Sequence, residues 1–158
     1  MADGYAFSHD PQRCIKCFTC EIACKQWRGI APGTFKLRRV YEVTTGTFPA
    51  VTRTFHSEAC RHCPDAPCIP ACPPGAISKR EDGVVTVDGA KCDGCRACLD
   101  ACPFGVPDFD AAGILQLCDL CSDRLAEGKK PICADTCPTQ ALRWNPRVAS
   151  SSHWSRYS

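Results

Sequence analysis

Cys92-Asp93-Gly94-Cys95-Arg96-Ala97-Cys98-Leu99-Asp100-Ala101-Cys102-Pro103 sets three cysteines on a tight loop, a fourth one helical turn later, and a proline behind it. The same rhythm recurs in both directions along the chain. Cys14, Cys17, Cys20 and Cys24 keep the spacing, but Lys25 stands where the proline would be. Cys60, Cys63, Cys68 and Cys72 lengthen the middle step through Pro64-Asp65-Ala66-Pro67. Cys118, Cys121, Cys133 and Cys137 carry an insert, 122–132, between their second and third members. These four groups use all 16 cysteines of the 158-residue chain.

Four thiolates hold one [4Fe–4S] cluster, and the C-x2-C-x2-C-x3-C run is the bacterial ferredoxin spacing, in which the fourth cysteine ligates the other cluster of a pair. The count therefore predicts four [4Fe–4S] clusters, with every cysteine a ligand. Zinc prefers paired C-x2-C knuckles separated by a longer loop, which triplets of cysteine within seven residues fit poorly. A disulfide scaffold would show no such regularity, and a reducing compartment disfavours it.

The rest of the composition agrees. The chain has 13 Pro but only 7 Phe and 1 Met, thin material for a self-sufficient core. Small domains make up such a deficit with metals or disulfides. Ligation energy then becomes folding energy, and the apo chain is predicted to be largely unfolded. The formal net charge of +2 counts the cysteines as neutral. Bound as thiolates around a cluster, each group leaves a negative unit, so the loaded protein should be acidic, which argues against nucleic acid as a partner. Residues 1–13 hold neither a signal-peptide apolar core nor a twin arginine. No apolar run is long enough to span a bilayer. The expectation is a cytoplasmic chain, able to leave the cytoplasm only with a signal-bearing partner.

The fold expected is α+β: tandem bacterial-ferredoxin-like modules of short strands and short helices around four clusters, with an inserted β-hairpin. The hairpin is expected over 34–55, rich in Val, Thr, Phe and Tyr with Gly46 in its middle. Val84–Val87 after Asp82-Gly83, and Ile114–Leu117, read as further short strands. The third and fourth cysteines of each group (Cys20/Cys24, Cys68/Cys72, Cys98/Cys102, Cys133/Cys137) lie four apart, one helical turn, with both thiols on one face. Pro73, Pro103 and Pro138 stop those helices. One polyferredoxin domain, 1–158, would then divide into an outer module (12–33 plus 114–145), the hairpin (34–55), an inner module (56–113) and a tail (146–158).

Particular phrases carry a family resemblance: Cys14-Ile-Lys-Cys-Phe-Thr-Cys-Glu-Ile-Ala-Cys-Lys25, Cys60-Arg-His-Cys-Pro-Asp-Ala-Pro-Cys68 with Cys72-Pro-Pro-Gly-Ala-Ile77, Ala101-Cys-Pro-Phe-Gly105, and Cys118-Asp-Leu-Cys121 with Gly128-Lys-Lys-Pro-Ile-Cys133. Over residues 12–142 the chain resembles the four-cluster iron–sulfur subunits of molybdenum or tungsten pterin enzymes of the dimethyl sulfoxide reductase and formate dehydrogenase type. Similar subunits serve hydrogenase complexes and tungsten aldehyde oxidoreductases. The resemblance implies a ligand exchange. One cluster would take Cys14, Cys17, Cys20 and Cys137, and another Cys118, Cys121, Cys133 and Cys24. The inner two would take Cys60, Cys63, Cys68 with Cys102, and Cys92, Cys95, Cys98 with Cys72. Spacing alone leaves sequential pairing of the groups open. The divergence of groups one and four favours the family's scheme.

Several other residues have blander roles open to them. His62 could substitute as a ligand, but with every cysteine assigned it reads as a solvent-facing or hydrogen-bonding histidine. Trp27 reads as packing over a cluster, or as an interface residue. Asp123, Arg124, Glu127, Lys129 and Lys130 in the insert read as a solvated loop rather than a docking site. Trp154 and Tyr157 lie in a Ser-rich tail that reads as disordered or as a docking arm.

No phosphate loop or nucleophile motif is present, and no group is short of a cysteine. The expected function is electron transfer without catalysis: single electrons relayed between a molybdenum or tungsten oxidoreductase subunit, such as an aldehyde oxidoreductase or formate dehydrogenase, and a further redox subunit, acceptor or copy of the same chain. The alternative is a free-standing diffusible polyferredoxin.

Overall fold

The structure, a computed structural model, describes residues 5–33 and 35–146. In chain order its elements are β1 (Tyr5–His9), α1 (Thr19–Trp27), β2 (Arg38–Thr47), β3 (Ala50–Ala59), β4 (Ile77–Lys79) and β5 (Val85–Val87). There follow α2 (Ala97–Ala101), β6 (Asp108–Phe109), β7 (Leu115–Gln116), α3 (Ser122–Ala126), α4 (Ile132–Asp135) and β8 (Leu142–Pro146). Short helices alternate with short antiparallel strand pairs, the mixed α+β composition expected.

The strands form separate two-stranded sheets: β1 with β8, β2 with β3, β4 with β5 and β6 with β7. The first pair joins the two ends of the described chain, with Phe7 opposite Trp144 and their rings 5.4 Å apart. None of β1, β4, β6 and β8 figures in the sequence reading. The hairpin does, but it begins at Arg38 and its second strand continues to Ala59. Gly46 pairs with Val51 at its mouth with φ of 84°, and a Cβ there would collide with the Ala50 carbonyl oxygen, so only glycine fits. The base of the hairpin is buried and its tip exposed, Phe48 being 92% exposed.

The helical turns expected between third and fourth cysteines form unevenly. Cys20 and Cys24 both lie in α1. At Cys102 the backbone has already become extended, with ψ of 112°, because the ring of Pro103 disfavours helix in the residue before it. Likewise α4 ends at Asp135, two residues short of Cys137. Between Cys68 and Cys72 the chain makes consecutive turns rather than a helix. Pro70 supplies no N–H there, and Pro73 follows directly.

Two apolar clusters fill the interior. One gathers Phe7, Leu37, Ala59, Val84, Leu120 and Leu142 with Cys20, Cys24, Cys118 and Cys133. The other gathers Ala66, Ile77, Val85 and Leu115 with Cys98, and packs Cys63, Cys68, Cys72 and Cys92 against it. Val84 and Val85 belong to different clusters, since adjacent residues of an extended chain point to opposite sides. This segment is therefore a wall between the two cores. Glu21 ties α1 to the hairpin: it accepts the Val40 N–H at 2.9 Å and pairs with Lys36 at 2.6 Å.

Candidate metal centres

Each group of cysteines is wound by the same backbone device. The residue just before the second cysteine has a left-handed φ: Lys16 at 55°, His62 at 47°, Gly94 at 73° and Leu120 at 59°. Phe18, Arg96 and Cys121 are also left-handed and cap α1, α2 and α3. A left-handed residue other than glycine costs about 1–2 kcal/mol and persists only where its surroundings fix it. At Gly94 the need is steric as well, since a Cβ would lie 2.8 Å from the Gly113 carbonyl oxygen. The sequence hid this device because only one of the four positions is glycine.

Backbone N–H groups are aimed at sulfur. Ala76 donates to Cys72 Sγ at 3.3 Å, Leu115 to Cys92 at 3.4 Å, Leu120 to Cys118 at 3.4 Å and Leu142 to Cys137 at 3.5 Å. Such bonds stabilise a thiolate and are one lever on cluster potential. Burial works the other way. It pushes the Cys24 and Cys60 thiols up to about 12 and Cys98 to about 11. Cys118 is raised well above its ordinary value for the same reason. Thiols this reluctant to ionise lose their protons only when a metal takes the sulfur. Cys137 alone is lowered: burial opposes the shift, but N–H groups of Leu142, Ala141 and Thr139 and the Thr139 hydroxyl outweigh it.

The structure also brings distant cysteines together. Cys60, Cys63, Cys68 and Cys102 line one cavity, whose other walls are mostly apolar, Val85, Val106 and Leu117 among them, with Arg61 beside them. Cys102 and Cys63 act electrostatically on Cys60 and Cys68, and Cys72 acts on Cys98. α1 packs on α4, so Cys24 feels Cys133 and Cys121, while Cys20 feels Cys133 and Cys137. None of the thiols is in a disulfide. Cys17 and Cys95 are exposed; the other cysteines are buried or half-buried. Among the described residues no three His, Cys, Asp or Glu side chains converge on a point that would hold a single metal ion. A cubane, with one thiolate per corner, needs no such convergence. The shared cavity and the N–H···S bonds fit a [4Fe–4S] cluster.

The accessory residues divide. His62 is buried, and its Nδ1 accepts the Val85 N–H at 2.9 Å, a hydrogen-bonding role. Trp27 is 44% exposed, its Nε1 donates to Asp123 at 2.9 Å and Arg124 stacks over its ring. The insert is only partly the solvated loop expected. Glu127 and Lys129 pair with each other at the surface, but Arg124 is buried, donating to the Lys130 carbonyl and to Asp135 at 2.7 Å. Its charge meets the half-exposed carboxylate of Asp135, a pairing that composition could not reveal. Trp154 and Tyr157 lie outside the described residues. Sequence reasoning passed over Arg38 and Ser57 altogether: Ser57 Oγ stands 3.4 Å from Cys20 Sγ, and Arg38 donates to that same oxygen at 3.1 Å.

The 4Fe–4S dicluster domain family matches residues 51–147. The chain is 43% identical to a chain of the anaerobic dimethyl sulfoxide reductase of Escherichia coli (strain K12) over 155 residues, covering 92% of this chain and 75% of the relative. It is 37% identical to thiosulfate reductase electron transfer subunit PhsB of Salmonella typhi, over 91% of this chain and 77% of the relative. A subunit of the sulfite dehydrogenase of Allochromatium vinosum is 38% identical, with 81% and 62% covered.

Proposed function

Since the chain belongs to the 4Fe–4S dicluster family of iron–sulfur electron-transfer subunits, we propose that it closes its clusters by exchanging ligands between groups one and four and between groups two and three. It is an electron-transfer subunit, not a catalytic one, and it carries four [4Fe–4S] clusters. In the proposed exchange, Cys137 completes Cys14, Cys17 and Cys20, and Cys24 completes Cys118, Cys121 and Cys133. Cys102 completes Cys60, Cys63 and Cys68, and Cys72 completes Cys92, Cys95 and Cys98. The observation that carries this reading is the single cavity lined by Cys60, Cys63, Cys68 and Cys102. The packing of α1 on α4 supports the outer pair. The division into an outer module (12–33 plus 114–145), a hairpin and an inner module (56–113) is part of the same proposal.

Bound clusters supply reversible one-electron storage. The protein's residues do the rest: thiolates fix the irons, N–H groups of Ala76, Leu115, Leu120 and Leu142 stabilise sulfur charge, and valine and leucine walls exclude water. Cys60 packs against the outer core although it belongs to group two, which favours its cluster as the handover point between the pairs.

The proposed partner is the catalytic subunit of a molybdenum or tungsten pterin oxidoreductase. The names of the relatives, a sulfoxide reductase, a thiosulfate reductase and a sulfite dehydrogenase, favour a sulfur compound as its substrate. The free-standing carrier is not favoured, because these relatives are chains and subunits of oxidoreductases. Ile15 and Ile22, each 60% exposed, and Phe18, 36% exposed, stand near exposed Cys17 in the sequence. This end of the row is the proposed docking site for the catalytic subunit. Among the described residues no helix is long and apolar enough to cross a membrane. The cytoplasmic setting belongs to the proposal, since a reducing compartment keeps thiols available as ligands.

Ligand exchange is tested by electron paramagnetic resonance of single-cysteine variants of the assembled complex. Cys24→Ser and Cys118→Ser should alter the same signal, and Cys14→Ser a different one. If Cys24→Ser and Cys14→Ser altered one signal in common, each group would hold its own cluster and the exchange would be wrong.

A further inference from the structure

Arg38 opens β2 opposite Ala59, and only 3% of it is exposed. A guanidinium is always charged in proteins, and burying it is costly unless a negative group answers it. No carboxylate does so: among the described residues Arg38 forms no ion pair. Its protein partners are neutral. Nη1 donates to Ser57 Oγ at 3.1 Å, and the guanidinium lies over the Phe7 ring, 4.5 Å from its centre. Nε and Nη2 are buried with no acceptor in the protein.

Sulfur lies within the electrostatic reach of this cation. The groups that act on it electrostatically are Cys133, Cys118, Cys20 and Cys24, drawn from groups one and four. Burial disfavours its charge most strongly, yet these thiols together outweigh that and raise its pKa. Ser57 joins the two sets, its Oγ lying 3.4 Å from Cys20 Sγ. By contrast the other buried arginine, Arg124, has Asp135. Arg38 thus sits inside the electrostatic reach of the outer ligands, with two donor nitrogens still to satisfy.

We propose that Arg38 is the resident counter-cation of the outer cluster pair, donating from its two unpartnered nitrogens, Nε and Nη2, to sulfur and raising the pair's reduction potential. This rests on the reading that groups one and four hold clusters. The charge of a thiolate-ligated cluster grows more negative by one on taking an electron. A fixed positive charge therefore favours the reduced form more than the oxidised one. Because guanidinium does not deprotonate, the effect is independent of pH over the working range. The outer clusters would accept electrons more readily than their thiol burial and N–H bonds alone allow, which biases flow toward them.

The test is a redox titration of the anoxically assembled complex, followed by electron paramagnetic resonance, on wild type and Arg38→Gln, with iron and sulfide counted in both. The expected result is at least a tenfold loss in the reduction equilibrium of an outer cluster, about 59 mV for one electron. The inner clusters should not move. Arg38→Lys, which keeps the charge but not the fork, should fall between. Four loaded clusters with unmoved potentials in Arg38→Gln would overturn the proposal. A wild-type count below four clusters would instead overturn the reading beneath it. Should Arg38→Gln fail to assemble, wild type labelled with [15N]arginine decides the matter by pulsed resonance. Nitrogen coupling to an outer-cluster signal is expected, and its absence would overturn the proposal.

Discussion

Arg28, just past the end of α1, reaches through Nη2 to the carboxylate of Asp119, at 2.8 Å. Asp119 lies between Cys118 and Cys121, so this contact fastens the helix that carries Cys20 and Cys24 to the loop of group four. The same nitrogen donates to Asp123 at 2.7 Å, and Trp27 donates to the other oxygen of Asp123. Two cysteine groups from opposite ends of the sequence are clamped by one short charged network.

Arg28→Ala should therefore loosen the outer module. The side chain is 24% exposed, so the pairs are partly screened, and the expected loss is about 1 kcal/mol. Anoxic denaturant unfolding of the loaded protein measures it. An unchanged midpoint would mean that the packing of α1 on α4 holds the module without the clamp.

His62 is predicted to be structural. His62→Leu leaves the buried Val85 N–H without its acceptor, at a cost of about 1–3 kcal/mol. Iron and sulfide for four clusters should remain. Loss of a cluster in this variant would make the histidine a ligand after all.

His9 confers pH dependence. Burial, helped by the nearby His56 and Arg38, holds its pKa at about 4, below the usual 6.5, against the smaller pull of Asp10 and Glu58. The unfolded chain takes up a proton near 6.5 that the folded chain refuses until about 4. Its contribution to stability is whole above 6.5, shrinks as pH falls through that window and is gone below it. His9→Gln should flatten the slope of unfolding free energy between pH 7 and 5.5. Equal slopes in variant and wild type would contradict this.

Removing iron should unfold the protein. Cys20, Cys24, Cys118 and Cys133 are themselves members of the larger apolar cluster, so without ligation that core is held by few large side chains. Anoxic chelation followed by far-ultraviolet circular dichroism checks this; retained signal with no bound iron would show a core that stands alone.

The ligands were legible because metal spacing is written in the local sequence, and so were the hairpin and the short β5 and β7. Other features depend on what folds next to them. β1 and β8 pair the ends of the described chain, which no local pattern records. The helix expected over 68–72 fails because Pro70 lies inside it, a signal that the four-residue cysteine spacing masked. Left-handed Lys16 and Leu120 carry no glycine to mark them. Arg38 looks like half of an ordinary Arg-Arg pair until tertiary packing buries it, while Arg39 stays at the surface paired with Asp108.

The most direct measurement is anoxic purification from the native host with quantification of iron, sulfide, molybdenum and tungsten, and mass spectrometry of whatever co-purifies. The predicted result is a stoichiometric pterin oxidoreductase subunit with its molybdenum or tungsten, and iron and sulfide for four [4Fe–4S] clusters per copy of this chain. A chain that elutes alone with its clusters intact would contradict the account and make it a diffusible carrier.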